Sequence, residues 1–161
     1  MAAQLMLEKW SARVCVMNIG ATKQEGGTRS KVVKVAGEAT LPFLFAEASI
    51  PHKPVIAYEV WDIAPTDWPD ELTKSWGKVL NNSLDWAQMC VKDYKADLLC
   101  VRLQGAHPDN GNKSAAESAK FISALLKELT VSMISVTALS NSLRSILPEA
   151  RRTKCLFNCP R

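Results

Sequence analysis

The stretch "VIAYEVWDIAPTDWPD", residues 55–70, decides the fold because it joins an apolar run to a polar turn. Its first four residues are apolar and rich in side chains that favour strands. Glu59 and Asp62 then interrupt the run with carboxylates, and Pro65 and Pro69 mark a turn. This pattern predicts a strand at 54–63 that begins in the core and carries its acids toward its carboxyl end.

The chain that follows alternates helical and strand patterns. A helical stretch is predicted at 70–94, a second strand at 96–105 ("ADLLCVRLQG") and a third strand from about 130 ("TVSMISV"). Before the third strand, Ser114 and Glu117 have the spacing of a capping box. One apolar stripe follows that box: Ala115, Ala119, Ile122, Leu126 and Leu129. Strands that alternate with helices in this way indicate βαβ units and a parallel sheet.

Two further segments flank this repeat at 54–138. Residues 1–53 are predicted to form a β-rich extension, since "RVCVMNIG" and "KVVKVAG" read as short strands separated by the turn "GGTRS". Residues 139–161 form an atypical basic tail, which holds five basic residues and one acid and so accounts for the net charge of +4. A neutral body with a basic tail is not a DNA-binding face. The tail is interpreted either as an arm for an anionic partner or as a frame-shifted end.

Composition excludes several classes of protein. The 161 residues are 47% hydrophobic, which suits one globular domain, and no apolar run approaches the length of a membrane helix. The start "MAAQLMLEKWSARV" lacks the pattern of a secretory signal. The five cysteines are scattered and odd in number, which favours reduced thiols and a cytoplasmic location.

Strand parity predicts which side chains share a face. The helix-facing sets are Ile56, Tyr58 and Val60 on the first strand and Leu99, Val101 and Leu103 on the second. Glu59 and Arg102 then lie on the opposite face of neighbouring strands, close enough to pair. In a closed barrel that face is the interior, so we expect a buried structural ion pair rather than a direct ligand contact.

Polar residues at the strand ends are better candidates for touching a ligand. Asp62, Gln104 and His107 lie on or just after predicted strands, although Asp62 could equally be a turn or helix cap. No metal site is predicted, because His52 and His107 lack neighbours at zinc spacing and Cys155 and Cys159 supply only two thiols. Neither a phosphate-binding glycine loop nor a nucleophile motif is present in the sequence, so no catalytic residue is predicted.

Three phrases in order carry a family resemblance: "ATKQEGGTRSKVVKVAGEATLPF", "PVIAYEVWDIAPTDWPDELTKSWGKVLNN" and "WAQMCVKDYKADLLCVRLQGAHPDNGN". They resemble the small subunit of the corrinoid iron–sulfur protein, which is the delta subunit of the acetyl-CoA decarbonylase/synthase (CO dehydrogenase/acetyl-CoA synthase) complex. The resemblance runs from about residue 20 to about residue 134. It implies an α/β fold that is the N-terminal part of a (β/α)8 TIM barrel, with about three βα units out of a barrel that takes about 250 residues.

The resemblance also implies a function in the reductive acetyl-CoA (Wood–Ljungdahl) pathway. The expected role is that of a non-catalytic scaffold and lid over a corrinoid shared with a large subunit that bears a [4Fe–4S] cluster. The corrinoid would take a methyl group from a methyl-pterin, through a methyltransferase, and pass it to acetyl-CoA synthase. No nucleic acid or membrane partner is expected.

Carried over by position, five residues at the strand ends face the corrinoid: Glu59, Asp62, Arg102, Gln104 and Gly105. Two alternatives stay open. One is a stand-alone methyl-pterin-dependent corrinoid methyltransferase, and the other is a flavodoxin-like binding module, which the missing phosphate loop disfavours.

Overall fold

A parallel sheet of three strands carries helices on one face and an antiparallel hairpin on the other. The computed structural model describes residues 7, 11–40, 48 and 50–137. The hairpin pairs β1 with β2, and the parallel sheet has the order β3-β4-β5. The elements are β1 Met17–Ile19, β2 Val33–Val35, β3 Ala57–Trp61, α1 Asp70–Trp76, α2 Ser83–Lys92, β4 Leu98–Leu103, α3 Ala115–Glu128 and β5 Ser132–Thr137. The mixed α/β class and the parallel sheet agree with the expectation from the sequence.

The register of the sheet orders its side chains in rows. Tyr58 pairs with Leu99 and Val60 with Val101, and their side chains point toward the helices. Val60, Leu99 and Val101 are almost fully buried, as the parity of the strands predicts. Ile56 departs from that prediction, because it precedes β3 and is 68% exposed. The strand begins at Ala57, two residues after the start of the apolar run at Val55, so Ile56 lies outside the strand and outside the core.

The helical stretch predicted at 70–94 is divided into separate helices. The α1 helix ends at Gly77, which has a left-handed φ of 62°, and a 3-10 segment follows over Gly77–Asn81. The α2 helix then begins after Asn82, whose side chain accepts the Leu84 N–H at 3.0 Å. Glycine at a helix end and asparagine at a helix start are the usual signals for such a break.

The α3 helix begins with the predicted capping box. The Ser114 side chain accepts the Glu117 N–H at 3.3 Å, and the Glu117 carboxylate accepts the Ser114 N–H at 2.8 Å. The buried face of the helix is rotated from the predicted stripe, however, because Ser118 and Leu125 are almost fully buried. Of the predicted stripe, Ile122, Leu126 and Leu129 are buried, whereas Ala115 and Ala119 are only half-buried.

Within the described part of residues 1–53, the two short strands of the hairpin pair with each other, and the β-rich character of the whole extension stays a prediction. Ile19 and Val33 of the hairpin form a small apolar cluster with Leu98 on the sheet face opposite the helices. Gly20 allows the close approach, since a Cβ there would lie 2.2 Å from Ser132 Oγ, and its φ is 90°. The hairpin thus covers the amino-terminal part of this face and leaves the carboxyl ends of the strands uncovered.

No helix within the described ranges is long and apolar enough to cross a membrane. The predicted tail at 139–161 lies outside the described residues.

Candidate functional site

Two rows of side chains continue this sheet face beyond the hairpin, and we call them the open face, although Ile134 in the first row still packs against the hairpin cluster. One row holds Glu59, Cys100 and Ile134, and the next row toward the carboxyl ends holds Trp61, Arg102 and Val136. One side of the open face is ionic and aromatic, and the other is apolar. Ligands of parallel α/β folds bind at the carboxyl ends of strands, which makes this region the candidate site.

Glu59, Trp61 and Arg102 form one hydrogen-bonded unit. Arg102 Nη1 donates to Glu59 Oε1 at 3.3 Å, and Trp61 Nε1 donates to the same oxygen at 2.5 Å. The guanidinium carbon of Arg102 lies 5.1 Å from the centroid of the Trp61 ring, which adds a cation–π contact. The predicted pairing of Glu59 with Arg102 is confirmed, and Trp61, which sequence reasoning did not select, holds both partners in place.

The predicted burial of this pair is wrong for the described part of the chain. The side chains of Arg102 and Glu59 are 43% and 45% exposed. A barrel interior is dry only when further strands close around it, and the three described strands leave the pair open to solvent. Exposed pairs of this kind contribute little to stability, at most about 1 kcal/mol. The guanidinium therefore remains accessible to an incoming acceptor group.

Cys100 lies between the two charges on the open face. Partial burial raises the pKa of its thiol, the nearby Glu59 carboxylate raises the pKa further, and Arg102 acts in the opposite direction. Cys100 is half-buried and forms no disulfide. Its reactivity therefore depends on the state of the ion pair beside it.

Asp62 and Gly105 meet behind the open face, together with a residue that the sequence did not point to. Asp62 Oδ1 accepts the Gly105 N–H at 2.8 Å, and Lys113 Nζ donates to Asp62 Oδ2 at 3.1 Å. The Asp62 side chain is only 1% exposed. Its described contacts are internal, whereas a ligand role for Asp62 stays a prediction. Lys113 precedes a capping box by one residue, a position that gives no sequence signal for a partner 51 residues away.

Gln104 and His107 lie on the loop that follows β4. Both side chains are half-buried. His107 Nδ1 accepts the Asp109 N–H at 3.3 Å, so the neutral ring carries its proton on Nε2. Of the predicted site residues, the structure thus brings Glu59 and Arg102 together in one cluster and Asp62 and Gly105 in another.

A chain of aromatic rings connects the site to the far side of the core. Neighbouring centroids are 5.4–5.8 Å apart in the order Trp61, Trp68, Trp86, Trp76 and Tyr94, and Tyr58 stacks on Tyr94 at 5.6 Å. Such contacts add about 0.5–1.5 kcal/mol per pair beyond burial. Four of the five tryptophans in the sequence belong to this cluster, and their spacing between residues 61 and 86 was the available signal for it.

Metal ligands do not gather in the part of the chain that the structure describes: no group of three or more His, Cys, Asp or Glu side chains there could hold an ion. The chemistry available at the candidate site is therefore that of hydrogen bonding, stacking and charge, supplied by Glu59, Trp61 and Arg102.

Known proteins resemble this chain over most of its length. It is 32% identical to the acetyl-CoA decarbonylase/synthase complex subunit delta of Archaeoglobus fulgidus over 127 residues, which is 79% of this chain and 28% of that protein. It is 30% identical to the protein of the same name from Methanocaldococcus jannaschii over 128 residues, 80% of this chain and 31% of that protein. The chain thus spans less than a third of the length of these curated relatives.

The comparison with families covers more of the sequence. The family model described as the CO dehydrogenase/acetyl-CoA synthase delta subunit matches residues 18–160. That range includes the hairpin, the parallel sheet with its open face and most of the basic tail. The chain therefore belongs to the family of the CO dehydrogenase/acetyl-CoA synthase delta subunit.

Proposed function

We propose that this chain acts as a non-catalytic subunit of a corrinoid methyl carrier in the reductive acetyl-CoA pathway. In this role it is a scaffold and a lid over a corrinoid held mainly by a large subunit that also carries a [4Fe–4S] cluster. The methyl group arrives from a methyl-pterin through a methyltransferase and leaves to acetyl-CoA synthase. Membership of the delta subunit family supports a place in the complex.

The open face is the observation that carries the lid role. A corrin ring is edged with amide side chains, which need both donors and acceptors. The Arg102 guanidinium uses one nitrogen on Glu59, and its other nitrogens have no hydrogen-bond partner among the described residues. Gln104 adds an amide at the end of β4. The residues present therefore fit the rim of such a ligand.

The chain's own contribution is binding, orientation and exclusion of water. When bound, the corrinoid supplies the cobalt that carries the methyl group. Arg102, kept in position by Glu59 and Trp61, would hold amide oxygens at the ring edge. Ile134 and Val136 would cover apolar surface and keep water away, which protects a reactive metal centre from side reactions.

The same proposal includes the fold of the complete subunit. The three parallel strands follow one another in the order β3-β4-β5, with apolar side chains toward the helices and Glu59 and Arg102 on the opposite face. This arrangement suits the first part of a (β/α)8 barrel. Further βα units would then pair with the outer strands and turn the open face into the barrel mouth. The site residues Glu59, Asp62, Arg102, Gln104 and Gly105 are proposed to lie at that mouth.

Size-exclusion chromatography tests the proposal. The 161-residue chain is mixed with the corrinoid-loaded large subunit of a family complex, and labelling of Cys100 by a maleimide is followed by mass spectrometry. Co-elution together with at least tenfold slower labelling of Cys100 supports the lid role. Separate elution with unchanged labelling overturns it. Methyl transfer from methyltetrahydrofolate to free cobalamin by the chain alone would instead favour the stand-alone methyltransferase.

A further inference from the structure

We infer that Lys113 is a positioning residue, which acts through Asp62 to hold the loop at 104–112 and the backbone of Arg102 in place for ligand binding. This inference rests on the proposed function, since it concerns how the same face meets its ligand. It assigns Asp62 to the support of the site and leaves direct contact to Arg102 and Gln104.

Both oxygens of the Asp62 carboxylate already have partners inside the protein. Its carboxylate accepts the Gly105 N–H and the Lys113 ammonium on different oxygens, at 2.8 and 3.1 Å. The side chain is almost completely withdrawn from solvent. A ligand group could reach this carboxylate only by displacing internal partners, so direct contact with Asp62 is disfavoured.

Lys113 is the cation that pairs with the buried Asp62 carboxylate. A buried carboxylate needs a charged or hydrogen-bonded partner, and removing that partner leaves an uncompensated buried charge. Lys113 Nζ lies 3.1 Å from Asp62 Oδ2 and also donates to the Asp62 carbonyl at 2.8 Å. The lysine therefore fixes both the side chain and the backbone at the end of β3.

Asp62, Gly105 and Lys113 also close the loop that follows β4. The Lys113 N–H donates to the Gly105 carbonyl at 2.8 Å, so the two ends of the loop are joined directly. Gly105 leaves no room for a side chain here, because a Cβ would lie 2.7 Å from Asp62 Oδ2 and 2.8 Å from Lys113 Cδ. Asp62, Gly105 and Lys113 thus form one unit, which we call the Asp62 clamp.

A backbone hydrogen bond connects the Asp62 clamp to Arg102 on the open face. The Asp62 N–H donates to the Arg102 carbonyl at 3.2 Å, which extends the pairing of β3 with β4 past the last strand residue. Gln104 directly precedes Gly105 and is separated from Arg102 by Leu103 alone, so Asp62 holds the backbone on both sides of this short segment. Loss of the clamp would therefore loosen the two residues proposed to touch the ligand.

Replacement of Lys113 provides the test. Lys113→Met removes the cation, Lys113→Arg keeps a cationic donor, and Lys120→Met on the exposed side of the α3 helix is the matched control. Two quantities are measured on the full chain: hydrogen exchange of loop amides 104–112 and the Kd for the corrinoid-loaded large subunit by calorimetry. We expect Lys113→Met to speed exchange at least tenfold and to raise the Kd about tenfold. Lys113→Arg should recover most of both, and Lys120→Met should change neither.

If Lys113→Met does not fold, Asp62→Asn with Lys113→Met removes the unpaired carboxylate as well and keeps an acceptor for Gly105. The same two measurements are then made on that double variant. Unchanged Kd in the Lys113 variants, with a wild type that binds, overturns the positioning role alone. A wild type that fails to bind the large subunit overturns the proposed function and, with it, any positioning toward that ligand.

Discussion

Arg29 donates from Nη1 to the carbonyl of Leu129 at 2.6 Å, although the two residues are 100 positions apart. The same guanidinium reaches the carbonyls of Val131 at 3.2 Å and Leu126 at 2.8 Å. It therefore satisfies carbonyl groups at the end of α3, where the last turn of a helix lacks partners and attracts positive charge. Arg29 is buried, so the hairpin segment is tied to the main sheet by more than apolar contact.

Replacement of Arg29 should be costly for folding. We expect Arg29→Met to lower the free energy of unfolding by about 3 kcal/mol, because several buried carbonyl groups lose their donor. Arg29→Lys keeps the charge and should lose less. Urea denaturation followed by circular dichroism measures both. Lys31→Met, which breaks an exposed ion pair with Asp97, is the control and should cost less than about 1 kcal/mol. Equal losses for Arg29→Met and Lys31→Met would contradict the assignment.

Gly105 should not tolerate even a methyl group. Gly105→Ala places a Cβ against Asp62 and Lys113, and such overpacking costs about 1–3 kcal/mol. Gly77→Ala is a useful contrast, because it meets no atom within 4 Å but forces alanine into a positive φ. Thermal unfolding should show a loss in both variants, and only Gly105→Ala should speed hydrogen exchange in the loop after β4. A Gly105→Ala protein with wild-type loop exchange would be incompatible with the packing.

The capping box of α3 predicts a pH-dependent contribution to stability. Hydrogen bonds from Ser114 hold the pKa of Glu117 below its ordinary value of 4.5. A carboxyl group with a depressed folded pKa stabilises the fold above its unfolded pKa, and this contribution is lost as the pH falls through the folded pKa. Ser114→Ala removes the cap and should therefore destabilise the fold more at pH 7 than at pH 3.

Urea unfolding at the two pH values measures that difference. Ser123→Ala, in the middle of the same helix, should have little effect at either pH, since it removes no cap. A loss for Ser114→Ala that is the same at pH 3 and pH 7 would show that the Glu117 carboxylate does not take part.

Thiol labelling should report the charges around Cys100. Because Glu59 raises the pKa of this thiol and Arg102 lowers it, Glu59→Gln should speed alkylation at pH 8 and Arg102→Met should slow it. Cys90 is the internal reference, since burial raises its pKa to about 11 and the native protein should protect it in every variant. Site-resolved mass spectrometry gives the rates. Rate changes of the same sign in both variants would rule out a charge effect.

Strand parity could be predicted from the sequence because it is a local property. Alternate residues of a strand face opposite sides, and this alone brought Glu59 and Arg102 to one face. The exposure of that pair could not be predicted in the same way. Exposure depends on which other strands cover Glu59 and Arg102, and the local sequence around these two residues carries no information about such distant strands.

The contacts of long side chains escaped prediction for a related reason. Lys113 and Arg29 each reach partners more than 50 positions away, and their neighbours in the sequence look like an ordinary loop and turn. Hydrophobic periodicity predicts which face of a helix or strand is buried, but it does not predict which partner the charged end of a long, flexible side chain will contact. The break between α1 and α2, by contrast, was visible in principle from Gly77 and Asn82.

The row of rings from Trp61 to Tyr94 has an optical consequence. Indole rings whose centroids lie 5.5–5.8 Å apart are close enough to pass excitation energy to one another, so energy absorbed by Trp68, Trp86 or Trp76 can reach Trp61. A bound molecule that absorbs at the emission wavelength of tryptophan and contacts Trp61 would then quench the fluorescence of all four tryptophans. The tryptophan fluorescence of this protein would therefore report whether a ligand lies at the carboxyl ends of the strands.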